Sequence, residues 1–200
     1  MLFLTRPGDA LIRSLLAERK ALPYSYSHVG ATRGTAPAGW RINHMRALLS
    51  TGRRKFDGAV NALFSWKLLA IDGLQVFSSM ERLQQGTNVA ILSRHFGIWS
   101  LDFCRVIYVL KDVPEQGGKI LRTGFGYGTL PGHAVRGEEI FSVEWHPATQ
   151  EVWYDIYSFS LPATQLVRLI GPIARATQRR FARASLEQAA RVATATESPK

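Results

Sequence analysis

The residues that could do chemistry gather between positions 124 and 146, where GFGYGTLPGH is followed by RGEE. Tyr127, His133 and Glu139 supply a phenol, an imidazole and a carboxylate, the groups that general acid-base catalysis uses. A histidine closing a Pro-Gly turn is most often solvated, and as a site residue His133 would work at a cavity mouth beside Glu138 and Glu139. Arg105 is the odd polar member of an apolar strand pattern. It could bind an anionic group, polarise a carbonyl, or form a structural ion pair with Glu139. Other chemistries are excluded. Gly124, Gly126 and Gly128 look like a phosphate loop, but such a loop needs strand, turn and helix in succession, and here a second strand follows. No pair among His133, Glu138, Glu139 and His146 has metal-ligand spacing, so no metal is expected. Cys104 has no base partner and sits in an apolar strand, where a small buried thiol is the plain reading. With no cofactor fingerprint either, any reaction would be cofactor-independent: a cyclisation, a dehydration or an isomerisation.

The elements that must position these groups change character twice. Leu11, Ile12, Leu15 and Leu16 mark a short helix over 9–20, and Leu22 to Gly39 reads as an ordered loop carrying Tyr24 and Tyr26, which either line a pocket rim or pack the arm. A strand is predicted over 40–49 and a helix over 53–69. From residue 74 the period becomes two, with strands at 74–79, 87–96, 99–111, 119–130, 138–146 and 151–160 joined by turns too short for parallel crossovers. A long helix follows from Thr164 to about Val192, bent at Gly171-Pro172, with Leu166, Ile170, Ile173, Phe181 and Leu186 as its apolar members. The result is an α+β, helix-grip arrangement: a curved seven-stranded antiparallel sheet packed around a long C-terminal helix. Residues 1–21 form a docking helix or arm, 22–193 a single domain, and 194–200 a frayed tail.

Pairing Leu130 with Glu138 in the 119–146 hairpin sets Thr129 opposite Glu139, Tyr127 opposite Phe141 and Phe125 opposite Val143. Glu139, Phe141, Val143 and Trp145 then share one mostly apolar face, which should be concave. A carboxylate there must be hydrogen-bonded or have a raised pKa, with Tyr127, Thr129 and Arg105 as partners. Phe125, Tyr127, Phe141 and Val143 become the walls of a cavity against the long helix, and Arg105 and Glu139 its polar anchors. In the 99–111 strand Leu101, Phe103, Arg105 and Ile107 oppose the nearly equally apolar Cys104, Val106, Tyr108 and Leu110, so the inward face stays open. Alternate glycines thin one face of their strand, so that it bends or admits a close neighbour. The five tryptophans are mostly core.

The chain has 200 residues, 25 basic and 15 acidic, for a net charge of +10. The excess sits at the ends: +7 over residues 1–60, −2 over 61–160 and +5 over 161–200. On the long helix Arg168, Arg175, Arg179 and Arg183 form a stripe that could touch phosphates, but no aromatics interleave with it, which argues against sequence-specific nucleic-acid binding. An anionic membrane surface is the partner in the alternative reading, a basic adaptor docking through its terminal helices. The opening apolar run is too short for a signal peptide or a span, and a single cysteine suits a reducing compartment, so a cytoplasmic location is expected.

LPYSY and VGATRG at 22–34, GLQV after Trp66, CRVIYV at 104–109, GFGYGTLPGH at 124–133, RGEE at 136–139 and FSLPA at 159–163 together resemble the DUF1990 (UPF0548) family. The resemblance covers roughly residues 20–190. Ala134 and Val135 stand where that family often has a proline and an acidic residue, and Ser160-Leu161 replaces a Ser-Arg. The resemblance implies kinship with helix-grip proteins similar to Bet v 1 and the START domains, and with it a small-molecule hydrophobic ligand.

Overall fold

The computed structural model describes residues 1–95, 97–165 and 171–195. The chain runs β1 (Leu2–Phe3), α1 (Asp9–Glu18), β2 (Arg41–Thr51), α2 (Arg53–Phe64), β3 (Leu74–Ser78), β4 (Asn88–His95), β5 (Ile98–Glu115), β6 (Ile120–Thr129), β7 (Val135–His146), β8 (Glu151–Pro162) and α3 (Gly171–Ala195). The strands pair antiparallel in the order β2-β8-β7-β6-β5-β4-β3. All seven expected strands are present, and β1 adds a two-residue pairing to the start of β5. No helix among the described residues is long and apolar enough to cross a membrane.

The sheet separates two apolar clusters. On its inner face, Phe56 and Leu63 of α2, Leu68 and Leu69 of the following turn, and Ala182 and Ala189 of α3 pack against Val106, Phe125, Phe141, Val143, Tyr154 and Ile156. On the outer face, Ile12 and Leu16 of α1 pack with Leu92, Leu101, Phe103 and Leu130. The N-terminal arm thus shares a core with the sheet, and α1 and α3 lie on opposite sides of it.

Two helices differ in extent from their sequence patterns. α2 stops at Phe64, short of the expected residue 69, because Ser65 Oγ bonds the Asn61 carbonyl at 2.7 Å and Trp66 is left-handed at φ 62°, after which Lys67–Leu69 form a 3₁₀ turn. The described helix α3 begins at Gly171, the expected point of bending, with Pro172 in its first turn, where a missing N–H costs nothing. Ala163 and Thr164 are not helical. Leu166, Arg168 and Ile170 lie outside the described residues, as do the side chains of Ile173 and Arg175 and residues 196–200 of the expected tail; Thr194 still belongs to α3. The small residues Ala182, Ser185 and Ala189 bring α3 close to the sheet. Ser185 Oγ donates to the Leu68 carbonyl at 3.0 Å and lies 3.1 Å from the Tyr154 hydroxyl, which ties α3, the 3₁₀ turn and β8 together.

A β-bulge in β5 resolves the strand whose inward face was undecided. Val106 pairs with Tyr127 but Tyr108 pairs with Gly126, so Ile107 is extra and the parity reverses there. Cys104 and Val106 point inward before the bulge and Val109 after it, while Leu101 and Phe103 point outward. In the next hairpin the register is offset by two from expectation: Tyr127 pairs with Glu139 and Phe125 with Phe141. Because side chains alternate with period two, this offset changes partners but no faces.

Candidate functional site

At one level of the inner face, the pairings Asn43 with Ser158, Ser158 with Glu139, and Glu139 with Tyr127 lay four polar side chains in a row across β2, β8, β7 and β6. The inward positions on one side of this row, Met45, Ile156, Phe141 and Phe125, belong to the packed core. On the other side the sheet and α3 part to leave a cavity of about 1370 Å³. Its walls include the whole row, Thr129, Ser160, the loop Pro131–Arg136, and Arg179, Arg180, Phe181, Arg183 and Ala184 of α3. The volume exceeds the roughly 300–1,000 Å³ of ordinary small-molecule sites.

Glu139 is the chemically distinctive member. Its carboxylate lies deep in the fold yet borders the cavity, so a molecule inside can touch it. Among the described residues its hydrogen-bond partner is the Tyr127 hydroxyl, which donates to Oε2 at 3.0 Å. Burial pushes the carboxyl up to about 7, and the tyrosine bond offsets part of that rise. Tyr127 is itself pushed well above its usual range, by burial and then by Glu139, so it keeps its proton and acts as the donor. Near neutral pH the pair therefore holds a carboxyl poised between its neutral and charged forms at the cavity wall.

His133 also lines the cavity. Its Nδ1 accepts the Val135 amide at 3.1 Å, which leaves the ring proton on Nε2. Burial lowers its pKa, so the ring is a neutral donor; Asp102 Oδ1, 3.7 Å away, opposes that shift but is beyond hydrogen-bond reach. Asp102 instead accepts Ser100 Oγ at 3.0 Å and the Ala134 amide at 3.1 Å. This ties down the loop that carries His133. Among the described residues no three of His, Cys, Asp and Glu group together as metal ligands do.

Arg105 is not a cavity anchor. It projects from the outer face, where Nε donates to Asn88 Oδ1 at 2.7 Å and the terminal nitrogens donate to the carbonyls of Arg19 at 2.7 Å, Lys20 at 2.9 Å and Leu22 at 2.8 Å. It closes the carbonyl end of the α1 segment, whose last acceptors have no helical partner. Tyr24 and Tyr26 are likewise outer-face residues and do not reach the pocket rim. Tyr24 packs with the α1 cluster under the Arg105 guanidinium. The Tyr26 ring needs the space left by Gly128, where a Cβ would fall 2.2 Å from its hydroxyl, and Tyr108 uses Gly126 in the same way at 2.4 Å. Phe125, Phe141 and Val143 are fully buried between Trp66, Phe64 and Phe181, so they form the packed floor beside the cavity and do not wall it.

The two carboxylates of the GEE triplet have separate tasks. Glu138 points outward and accepts the Tyr26 hydroxyl and Gly30 amide at 2.7 Å each, the Thr32 amide at 2.9 Å, and the Thr32 hydroxyl. It thereby pins the VGATRG loop to β7. Asn43, Ser158 and Ser160 are the site residues that sequence reasoning missed, although each was a polar member of an otherwise apolar inward parity, as Glu139 was.

A curved antiparallel sheet closed over a C-terminal helix with a cavity between them defines a helix-grip protein. The fold is shared with solved structures: TTHA0849 from Thermus thermophilus (TM-score 0.53, 10% identity, covering 79% of this chain and 100% of that one) and the Bet v 1-like Ara h 8.0201 (TM-score 0.50, 9% identity, 78% and 99%). Residues 25–188 match the family described as Domain of unknown function (DUF1990). UPF0548 proteins of Dictyostelium discoideum (30% identical over 192 residues, 88% of each chain) and Deinococcus radiodurans (35% over 194 residues, 92% of this chain and 94% of that one) are similar along most of their lengths. The chain belongs to the DUF1990 (UPF0548) family.

Proposed function

We propose that this protein binds a small organic molecule in the cavity between the sheet and α3, and that Glu139 exchanges a proton with it. The observation that carries this reading is the Glu139 carboxylate itself, deep in the fold, open to the cavity and, among the described residues, hydrogen-bonded by Tyr127 alone. A structural carboxylate in that position would be surrounded by donors, as Glu138 is. The ligand anticipated from sequence was largely apolar, but the walls call for an amphipathic one: an apolar body against Ile91 and Phe181, with oxygen-bearing groups at the Asn43, Ser158, Glu139 and Tyr127 row. The chemistry open to a carboxyl that titrates near neutrality beside a tyrosine donor is proton transfer, as in an isomerisation, a dehydration or a cyclisation.

The binding half of this reading is tested with N-phenyl-1-naphthylamine, a neutral aromatic probe that fluoresces when it leaves water. Titration should saturate at about one probe per chain, and Ala184→Phe, which fills the cavity from the α3 wall, should weaken binding about tenfold or more without lowering the melting temperature. An absence of saturable binding, or undiminished binding to the filled variant, would overturn it.

A further inference from the structure

The α3 wall carries charge that the rest of the fold leaves unneutralised. Arg179, Arg180 and Arg183 all border the cavity, and among the described residues none has a carboxylate partner. Several other arginines are engaged, Arg46 and Arg122 with Glu144, Arg53 with Asp57 and Arg105 with three carbonyls, while Arg94 and Arg136, which also border the cavity, lie over the Trp99 and Trp40 rings. The acids of the wall are occupied as well. Glu138 serves the VGATRG loop, Asp102 holds Ser100 and the Ala134 amide, and Glu187 faces Arg191 at 3.9 Å. Asp72 lies just past the Lys67–Leu69 turn, whose Lys67 carbonyl Gln188 contacts, about two helical turns along α3 from Arg180. Opposite the arginines stands the uncharged row of Asn43, Ser158 and Tyr127, with Glu139 in its midst.

Resting on the reading that the cavity binds a small molecule, we infer that the ligand is an organic anion. Its carboxylate, sulfonate or phosphate group is held by Arg179, Arg180 and Arg183, and its uncharged end reaches the polar row on the sheet. Guanidinium groups suit this task because they stay charged and present paired donors to a planar or tetrahedral oxyanion. Arg183 lies four residues after Arg179 and three after Arg180, so it neighbours both on the helix surface and the three can converge on one group.

Two probes that share an aromatic body and differ in charge test the inference. The wild-type chain should bind 1-anilinonaphthalene-8-sulfonate about tenfold or more tightly than neutral N-phenyl-1-naphthylamine. Arg179→Ala with Arg183→Ala should erase most of that preference and leave the neutral probe within about twofold, whereas the paired lysine variant should keep much of it. Ala184→Phe should weaken both probes. Equal affinity of the two probes for the wild-type chain would overturn the anion inference and leave the cavity reading standing. Sulfonate binding that survives Ala184→Phe would also overturn it, since the anion would then sit on the outer helix surface. If neither probe binds, the cavity reading fails and the inference fails with it.

Discussion

Glu138 and Glu139 are neighbours in β7 that face opposite sides of one sheet, and the fold treats their carboxylates in opposite ways. The outer one receives the Tyr26 hydroxyl, two backbone amides and the Thr32 hydroxyl, and it holds a loop in place. The inner one receives Tyr127 and borders a cavity. The same contrast extends along the sheet. On the outer face Glu144 is bridged by Arg122 and Arg46, which hold it below the usual carboxylate range although burial pushes it upward. Charge on the outer face is paired to fix structure, whereas the inner carboxylate has, among the described residues, Tyr127 alone as hydrogen-bond partner, the environment that the proposed proton exchange needs.

The largest expected effect is on the outer side of this comparison. Glu138→Gln turns an acceptor toward donors as an amide, so buried donors lose their partner, and urea unfolding should show a loss of about 3–5 kcal/mol. A loss below about 1 kcal/mol would erase the contrast.

Glu139→Gln should act in the opposite direction. The folded-state pKa of Glu139, about 7, lies above its ordinary value of 4.5, so the folded chain binds the proton more tightly than the unfolded one. Its stabilising contribution is complete below pH 4.5 and disappears as pH rises through 7. The variant should therefore match wild type at pH 5 and exceed it at pH 8 by about 1–3 kcal/mol, measured as the difference in unfolding free energy at the two pH values.

Arg105→Ala sharpens the division between the faces. It frees the carbonyl end of the α1 segment and should lower stability by about 1–2 kcal/mol. Affinity for N-phenyl-1-naphthylamine should not change, and a changed affinity would place Arg105 in the site after all. The smallest effect is expected for Tyr127→Phe: by removing a donor to the charged form, it should move the Glu139 titration above 7 with little loss of stability.

Much of this comparison was legible in the sequence because strand periodicity is local. Glu139, Phe141 and Val143 share the inner face as their spacing required, and a two-residue error in hairpin register could not move them to the other side. What was not legible depends on contacts distant in sequence. The bulge at Ile107 carries no turn residue and leaves both parities of β5 apolar, so the direction of Arg105 rested on α1 packing against that face about eighty-five residues earlier in the chain. Tyr26 went to the outer face for a related reason: Gly126 and Gly128, read as a thinned surface, take the rings of Tyr108 and Tyr26, and nothing local says which rings. Asn43, Ser158 and Glu139 become one row only when three strands are in register.

The central claim, that Glu139 is a buried carboxyl of raised pKa facing the proposed ligand cavity, is tested most directly by its own titration. Glutamate side-chain carboxyl carbons followed by NMR across pH, with the Glu139 signal assigned by its loss in Glu139→Gln, should show a midpoint of about 7 that moves when N-phenyl-1-naphthylamine fills the cavity. A midpoint in the ordinary carboxylate range that the probe leaves unmoved would contradict the account.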